Sequence, residues 1–285
     1  MSSFWSILPI FGAPFLERVA HGKHRPFFKE LGDCFSSFSP PSKNDPLKNW
    51  FEFFYSLLRE QYRCEYVYKN TIATRLYLGG RHPPKNSLLT NEFRIGNSRA
   101  DVVILNGTST VYEIKSKYDS LERLEHQVAD YRKVFDHIFV VTTPEKAKTV
   151  LDKVDRLVGV KVLCGDNLKI KKEAQSNKVN TDPAVVFDCM RRAEYCSIIK
   201  EKFGYVPDVP NSKLYCESKK LFCRLDSSEA HDLMVQRVRM RNKLGPFVDL
   251  IKDAPNSLKH TCLSFSKSQA LAIQIRKMLE EPLLT

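Results

Sequence analysis

The sequence predicts an α/β protein with a helical extension at its C-terminal end, on three observations. Short β-rich runs, with apolar residues at alternate positions, lie between residues 92 and 115. Helical and strand-like segments then alternate as far as about residue 163. After residue 178 the β pattern stops and apolar residues recur with a helical period. We therefore expect an N-terminal arm (1–45), an α/β core (46–175) and an all-α C-terminal domain (180–285).

The composition is that of a folded protein. With 285 residues, 42% of them hydrophobic, the chain can bury a large core, which excludes wholesale disorder. No apolar run approaches the roughly 18 residues of a membrane helix, and the apolar start contains Pro9 and Pro14 and lacks a basic segment. We expect a soluble, cytoplasmic protein without a membrane partner. The eight cysteines show no metal-ligand spacing, so they are expected to be reduced thiols.

The charge distribution points to an anionic partner. The chain carries 45 basic and 33 acidic side chains, a net charge of +12, yet residues 92–145 carry 7 basic and 9 acidic ones. An acidic island in a basic chain suits metal-dependent phosphodiester chemistry, because carboxylates hold the cation while Lys and Arg attract the phosphate backbone. The alternative is an ordinary solvated basic surface.

The N-terminal half is expected to contain two helices after the arm. The arm is rich in Phe, Ser and Pro and ends near Pro41. Asp45 is the expected N-cap of a first helix that runs from Pro46 to about Arg63. A second helix is expected from about Glu65 to Leu78, where Gly79-Gly80 ends it.

The middle of the chain predicts the sheet. Three strands in a meander are expected at 92–95, 100–105 and 110–115, because Gly96-Asn97 and Asn106-Gly107 separate them. Asp119 and Glu122 form a capping box for a helix that extends to about Phe135. A strand at 137–141, a helix at 144–156 and a strand at 159–163 are expected to follow.

The C-terminal third predicts helices near 183–203, 226–243 and 264–280, with starts marked by polar capping residues. Arg237, Arg239, Arg241 and Lys243 alternate in sequence and cannot share one helical stripe. We interpret them as a broad basic surface that contacts nucleic acid.

Asp101 and the sequence Glu113-Ile114-Lys115 form the pattern that carries chemistry. Strand side chains alternate, so Glu113 and Lys115 face one side, and Asp101 on the adjoining strand can share it. Asp101 and Glu113 would bind a hard divalent cation through oxygen, with the Ile114 carbonyl as a further ligand. Lys115 would orient or deprotonate the attacking water and offset transition-state charge. The alternative is a salt-bridged strand edge.

With these residues the chain resembles the PD-(D/E)XK nuclease superfamily, and within it a family of little-characterised bacterial nuclease-like proteins. The match lies in Ala100-Asp101-Val102, in the run from Tyr112 to Asp119, and in the segment from Arg123 to Gln127. It covers about residues 46–163. Ala100 stands where the motif has proline. The resemblance implies a mixed central sheet flanked by helices in α-β-β-β-α-β order, and a nuclease that uses Mg²⁺, for which Mn²⁺ can substitute.

Further residues extend the predicted site. Gln127 and Tyr131 lie four apart on one helix face and resemble the Gln-x-x-x-Tyr element of the exonuclease branches, where those residues contact substrate or order the site. The alternative reading makes Tyr131 a core residue. Lys117 is a candidate phosphate contact or a solvated lysine. A further metal ligand is expected from Glu65, which resembles the helix acid of related nucleases, or from Glu92; Glu65 is favoured.

We therefore expect a metal-dependent deoxyribonuclease, and the resemblance suggests a role in bacterial DNA processing or defence. The alternative is a catalytically silent module that keeps the scaffold to bind nucleic acid or protein. DNA is the expected partner, with a homodimer or a partner protein left open. RNA as substrate, and an endonuclease or exonuclease mode, also stay open at this point.

Overall fold

The computed structural model describes residues 4–80, 86–242, 244–265 and 268–283, which fall into two compact units. The sheet unit holds residues 86–242, and the helical unit holds residues 4–80 with the described residues from 244 onward. Among the described residues no helix is long and apolar enough to cross a membrane. These units differ from the predicted segments, since neither 45 nor 180 is a boundary between them.

One six-stranded sheet forms the centre of the sheet unit, and its strands lie side by side in sequence order. They are β1 (Leu88–Ile95), β2 (Ser98–Leu105), β3 (Ser109–Lys115), β4 (His137–Thr142), β5 (Gly159–Cys164) and β6 (Asn167–Lys172). Strands β1, β2 and β3 are antiparallel neighbours, whereas β4 runs parallel to β3 and β5 parallel to β4. The antiparallel β6 closes the other edge. The predicted meander is therefore confirmed, as is a mixed α/β fold.

The turn between β1 and β2 fixes their register. Ile95 pairs with Ser98, which leaves Gly96 and Asn97 as the two turn residues. Gly96 has a φ of +55°, a conformation that glycine adopts without steric cost and that is favoured in two-residue hairpins. A turn of this length places Glu92 opposite Asp101, since Asn91 pairs with Val102 and Phe93 with Ala100.

Six α-helices complete the described part of the sheet unit. They are α5 (Leu124–Arg132), α6 (Ala147–Lys153), α7 (Pro183–Asp188), α8 (Arg192–Phe203), α9 (Asn211–Phe222) and α10 (Ser227–Val238). Their apolar side chains join those of the strands in one buried core, in which Val128, Val150, Phe187 and Met234 lie with Val103 and Val140. The first part of the predicted C-terminal domain is thus built onto the sheet.

The helical unit combines both ends of the chain. Its α-helices are α1 (Ala13–Ala20), α2 (Arg25–Cys34), α3 (Leu47–Gln61), α4 (Glu65–Thr71), α11 (Val248–Asp253), α12 (Lys259–Ser264) and α13 (Gln269–Glu280), and a π-helical segment (Ile72–Leu78) continues α4. Buried rings at its centre pack mostly edge to face, among them Phe28, Phe51 and Phe54. The predicted arm is therefore largely helical. The hydroxyl of Tyr66 donates to the carbonyl of Ser257 at 2.6 Å, which connects the two ends of the chain within this unit.

Two predicted helix caps are wrong for the same reason. The Asp45 carboxylate accepts from the backbone N–H of Ser42, and Pro46 occupies the N-cap position of α3. Asp119 likewise accepts from Ser116 N, and α5 begins only at Leu124. Short polar side chains satisfy nearby turns as readily as helix ends. By contrast Asp182 and Asp226, two of the polar residues that mark the expected helix starts, do cap α7 and α10. Strand β6 and helix α9 were not predicted.

Candidate active site at the carboxyl end of β3

The end of β3 buries an ion pair. Glu113 and Lys115 lie on the same face, as their alternation predicts, and Lys115 Nζ is 2.8 Å from Glu113 Oε1. The two residues are 1% and 6% exposed. Thr142 at the end of the parallel strand β4 donates its hydroxyl to the Lys115 carbonyl, so the ends of both strands are fixed together. A buried charge pair of this kind costs desolvation energy and requires further hydrogen bonds.

Helix α5 supplies those hydrogen bonds. The Gln127 Oε1 atom accepts from Lys115 Nζ at 2.8 Å, and the Tyr131 hydroxyl donates to Glu113 Oε2 at 2.6 Å. The same hydroxyl lies 3.0 Å from the Arg99 carbonyl. Burial raises the pKa of Tyr131 well above its usual value, and the neighbouring Glu113 charge raises it further. Tyr131 is fully buried, so it is both a core residue and a polar partner of the site.

Asp101 joins this cluster from β2. The ladder of β2 and β3 ends at the pair Val102–Tyr112. Beyond that pair, the backbone N–H of Ile114 donates to Asp101 Oδ2 at 2.7 Å. The charge of Asp101 also contributes to the raised pKa of Tyr131, so Asp101 and Glu113 act on the same phenol. The structure thus brings Asp101, Glu113 and Lys115 together with Gln127 and Tyr131. The role of the Ile114 carbonyl as a ligand remains a prediction.

A second carboxylate lies beside Asp101. Carboxylate oxygens of Glu92 and Asp101 lie within 4.8 Å of one another. Glu92 has a φ of +52° inside a strand, a left-handed conformation that a residue with a side chain adopts at a cost of about 1–3 kcal/mol. Strict alternation also fails here, because Ala100 and Val103, three residues apart, both enter the same core. This irregular backbone places the two carboxylates together.

The favoured extra ligand, Glu65, belongs to the helical unit. Its carboxylate is 2.5 Å from Lys69 on the same helix, an i,i+4 ion pair. Its role as a ligand stays a prediction, whereas Glu92 shares the sheet unit with Asp101. A sequence signal for Glu92 did exist, because a two-residue turn at Gly96-Asn97 sets Glu92 opposite Asp101 in the hairpin.

The donor set suits a hard divalent cation. Glu92 is exposed and Asp101 half-buried, so a cation from solvent has access to both. Both offer oxygen, the ligand atom that Mg²⁺ and Mn²⁺ prefer among protein groups. Glu113 is already bonded through both oxygens, but a carboxylate has about four lone-pair sites and can accept more. Glu92, Asp101 and Glu113 are therefore the residues of the sheet unit that would hold the ion.

The predicted nucleic-acid contacts are placed differently. Strand β3 ends at Lys115, so Lys117 lies in the following turn, exposed, and alternation does not apply to it. Arg237 pairs with Glu201, and Arg241 pairs with Glu194 through its Nε at 2.6 Å and also through its Nη2. These two arginines are thus engaged in ion pairs within the sheet unit, and their contact with nucleic acid, like the broad basic surface, stays a prediction. Arg239 is half-buried, and Lys243 lies outside the described residues.

A second buried polar cluster lies at the other end of β3, and the sequence patterns did not reveal it. Ser109 Oγ is 2.7 Å from His231 Nε2 of α10, and it accepts the backbone N–H of Asp136 at 2.9 Å. His231 Nδ1 is 2.9 Å from Asp232. Ser109 and His231 are each 0% exposed. Ser109, His231 and Asp232 thus form a continuous chain of polar contacts. Ser109 is fully buried, however, so a substrate cannot reach it.

Comparison with known proteins identifies a phage family. Residues 58–253 match the family model described as Bacteriophage P4 protein cII. Protein cII of Enterobacteria phage P4 is 30% identical over 131 residues, which are 45% of this chain and 44% of that protein. The chain thus matches less than half the length of this relative.

A solved structure, a protein of unknown function from Silicibacter pomeroyi, is 19% identical over 38% of this chain and 68% of its own. Its TM-score is 0.30, too low to indicate a common fold. The family match, in contrast, covers more than two thirds of the chain, including the whole described part of the sheet unit. The chain belongs to the bacteriophage P4 protein cII family.

Proposed function

We propose that this protein is a divalent-metal-dependent nuclease that hydrolyses phosphodiester bonds in DNA, with its active site at the carboxyl end of β3. The observation that carries the proposal is the convergence of Asp101 and Glu113 on the Tyr131 phenol, with Lys115 paired to Glu113 and Glu92 beside Asp101. Carboxylates and a lysine at a sheet end, next to solvent-accessible acids, are the groups that metal-assisted hydrolysis needs. A role in DNA processing or defence would follow from this activity.

The order of elements supports a PD-(D/E)XK-like core. Three antiparallel strands are followed by α5 and then by β4, which runs parallel to β3. This is the strand and helix order that the resemblance implies, with the acids on the second and third strands. The low likeness to a solved structure carries no weight in this argument, so the core assignment depends on topology and on the site.

Each residue has a role in the proposed reaction. Glu92, Asp101 and Glu113 would hold the cation, which when bound stabilises negative charge and lowers the pKa of water. The Lys115 ammonium would donate to a phosphate oxygen or orient the water. Gln127 holds Lys115, and Tyr131 holds Glu113, so that neither side chain is free to turn away.

Substitution of Asp101 provides the test. Asp101→Asn keeps an oxygen that accepts from Ile114 N and removes only the charge, so we expect the fold to persist and cleavage with Mg²⁺ or Mn²⁺ to fall by about 100-fold or more. Circular and linear DNA are both supplied, because cutting of circles indicates an endonuclease and loss of linear DNA alone an exonuclease. Asp208→Asn, an exposed acid of the same unit, is the control. Equal cleavage by both variants would refute the proposal.

A catalytically silent binding module is the second candidate, and one observation favours it. Both oxygens of Glu113 are already bonded by Lys115 and Tyr131, so the cluster is stable without an ion. This reading predicts salt-dependent DNA binding without metal and no product with any divalent cation. Shifted but uncut DNA with wild type and with Asp101→Asn alike would favour it over the nuclease.

A further inference from the structure

The turn after the candidate active strand is rigidly built. Ser116 N donates to Asp119 Oδ2 at 2.7 Å, and Asp119 N donates back to the Ser116 carbonyl at 3.3 Å. Lys146, from the loop after β4, reaches across with its Nζ 2.9 Å from the Ser116 carbonyl and also bonds the Asp119 carbonyl. Backbone carbonyls and a side chain therefore hold residues 116–119 in one conformation beside Lys115.

This rigid turn displays an aromatic ring. Tyr118 is 63% exposed, although aromatic side chains are usually buried. Lys117 and Arg123 on the same loop are exposed as well. Tyr118 follows Lys115 by three residues, so their Cα atoms are at most about 11 Å apart. An exposed ring among cations, at this distance from the candidate site, is an arrangement that nucleic-acid grooves use for stacking.

We propose that Tyr118 is a stacking platform for an unpaired base of the nucleic acid, and that Lys117 and Arg123 bind the adjoining phosphates. The inference deepens the proposed function, on which it rests for the substrate class. Inside a duplex both faces of a base are covered by its neighbours, so a stacking tyrosine favours a single strand, a frayed end or a flap. The site would thus prefer substrates with unpaired nucleotides next to the scissile bond.

The loop also carries two acidic side chains, Asp119 and Glu122. The Asp119 carboxylate is engaged with Ser116 N inside the turn, with the Lys146 ammonium bonded to the carbonyl of the same residue. Glu122 is exposed and would repel a phosphate. Glu122→Gln is accordingly expected to tighten binding by about 2-fold at low salt.

Binding measurements with EDTA present test the inference independently of catalysis. Fluorescence anisotropy would follow a labelled 20-nucleotide oligo(dT) and a 20-base-pair duplex, each with the full-length protein. Tyr118→Ala should weaken binding of the single strand by about 10-fold or more and leave the duplex nearly unchanged. Tyr118→Phe should bind as wild type, because the ring is retained. Tyr205→Ala is the matched control, since Tyr205 is 54% exposed in the same unit.

The outcomes separate this inference from the proposed function. Selective loss of single-strand binding in Tyr118→Ala supports stacking, even if wild type with Mg²⁺ cleaves nothing and the nuclease proposal fails. Equal affinities of Tyr118→Ala and Tyr205→Ala, or an equal loss for oligo(dT) and duplex, would overturn stacking while cleavage by wild type could still stand. A wild-type protein that binds no oligo(dT) would overturn it as well. Unchanged thermal unfolding of Tyr118→Ala verifies that the fold is intact.

Discussion

The two ends of strand β3 both bury polar side chains, yet they are built differently. At the amino end Ser109, His231 and Asp136 form a cluster whose hydrogen bonds all close within the protein. At the carboxyl end Glu113 and Lys115 are equally buried, but the adjoining Asp101 is half-buried and Glu92 is exposed. Burial of charge therefore does not by itself indicate a functional site. The difference is that two accessible carboxylates, Glu92 and Asp101, lie close together at the carboxyl end.

Asp136 shows how completely the amino-end cluster is satisfied. Its carboxylate accepts from the Thr108 hydroxyl at 2.5 Å and from the backbone N–H groups of Asn177 and Lys178, each at 3.2 Å. Burial opposes ionisation, but hydrogen bonds from His137, Ser176 and Thr108 outweigh it and hold the pKa of Asp136 well below its usual value. We infer that this end stabilises the fold, whereas the carboxyl end serves chemistry.

The largest expected effect is on catalysis at the carboxyl end. Glu113→Gln preserves the volume of the side chain, and the amide oxygen can still accept from the Tyr131 hydroxyl. Lys115 retains its hydrogen bond to the Gln127 oxygen. We expect cleavage per folded molecule to fall by about 100-fold or more. The free energy of unfolding should also fall by about 3 kcal/mol, because Lys115 is left as a buried charge without its partner. Gel assays with Mn²⁺ and urea titrations measure the two quantities. A variant that unfolds readily but cleaves normally when folded would reverse the comparison.

Asp136→Ala should lower stability as well, but without an effect on catalysis. It removes the acceptor of several buried donors, so we expect the free energy of unfolding to fall by about 3 kcal/mol. Cleavage per folded molecule should stay at the wild-type level, because the change lies at the far end of β3. Circular dichroism in urea and a cleavage assay at low temperature provide the measurements. Loss of cleavage in a variant of wild-type stability would contradict the assignment of this end to structure.

Ser109→Ala is expected to lower the free energy of unfolding by less than Asp136→Ala does. It leaves His231 Nε2 and Asp136 N without their partner, at a cost of about 1–2 kcal/mol in unfolding free energy. A double-mutant cycle with His231→Gln should show a coupling energy of at least about 0.5 kcal/mol, since the two side chains are in contact. Additive effects of the two substitutions would show that the Ser109–His231 bond contributes nothing.

The smallest effect is a pH dependence of stability. Burial lowers the pKa of His231 below 6.5, although Asp232 partly opposes this. A histidine whose pKa is lower in the folded state stabilises fully above the unfolded value, and this stability is lost as the pH falls below about 6.5. We expect His231→Gln to reduce the difference in unfolding free energy between pH 7 and pH 5.

His24 and His260 of the helical unit also contribute to the pH dependence of stability. Burial lowers their pKa values to about 4 and about 3, so they also destabilise the folded protein as the pH falls below 6.5. They are present in wild type and in His231→Gln alike. The contribution of His231 is therefore the difference between the two pH profiles, and identical profiles would exclude it.

The sequence by itself determined the local features of this protein. The period-two runs located β1, β2 and β3, and alternation placed Glu113 and Lys115 on one face. The spacing of Gln127 and Tyr131 likewise placed both on the helix face that meets β3. These features are local, because they follow from the geometry of a single strand or helix. The residues of the candidate site could therefore be identified from the sequence.

Only the tertiary structure decided the non-local features. The left-handed backbone at Glu92 breaks the alternation that would otherwise predict where Asp101 points. The ion pairs of Arg237 with Glu201 and of Arg241 with Glu194, some 40 residues earlier, are likewise not encoded in the local sequence. Both ends of the chain, with α1–α4 and α11–α13, join in one unit. Such pairings depend on contacts between distant segments, and no periodicity within one segment encodes them.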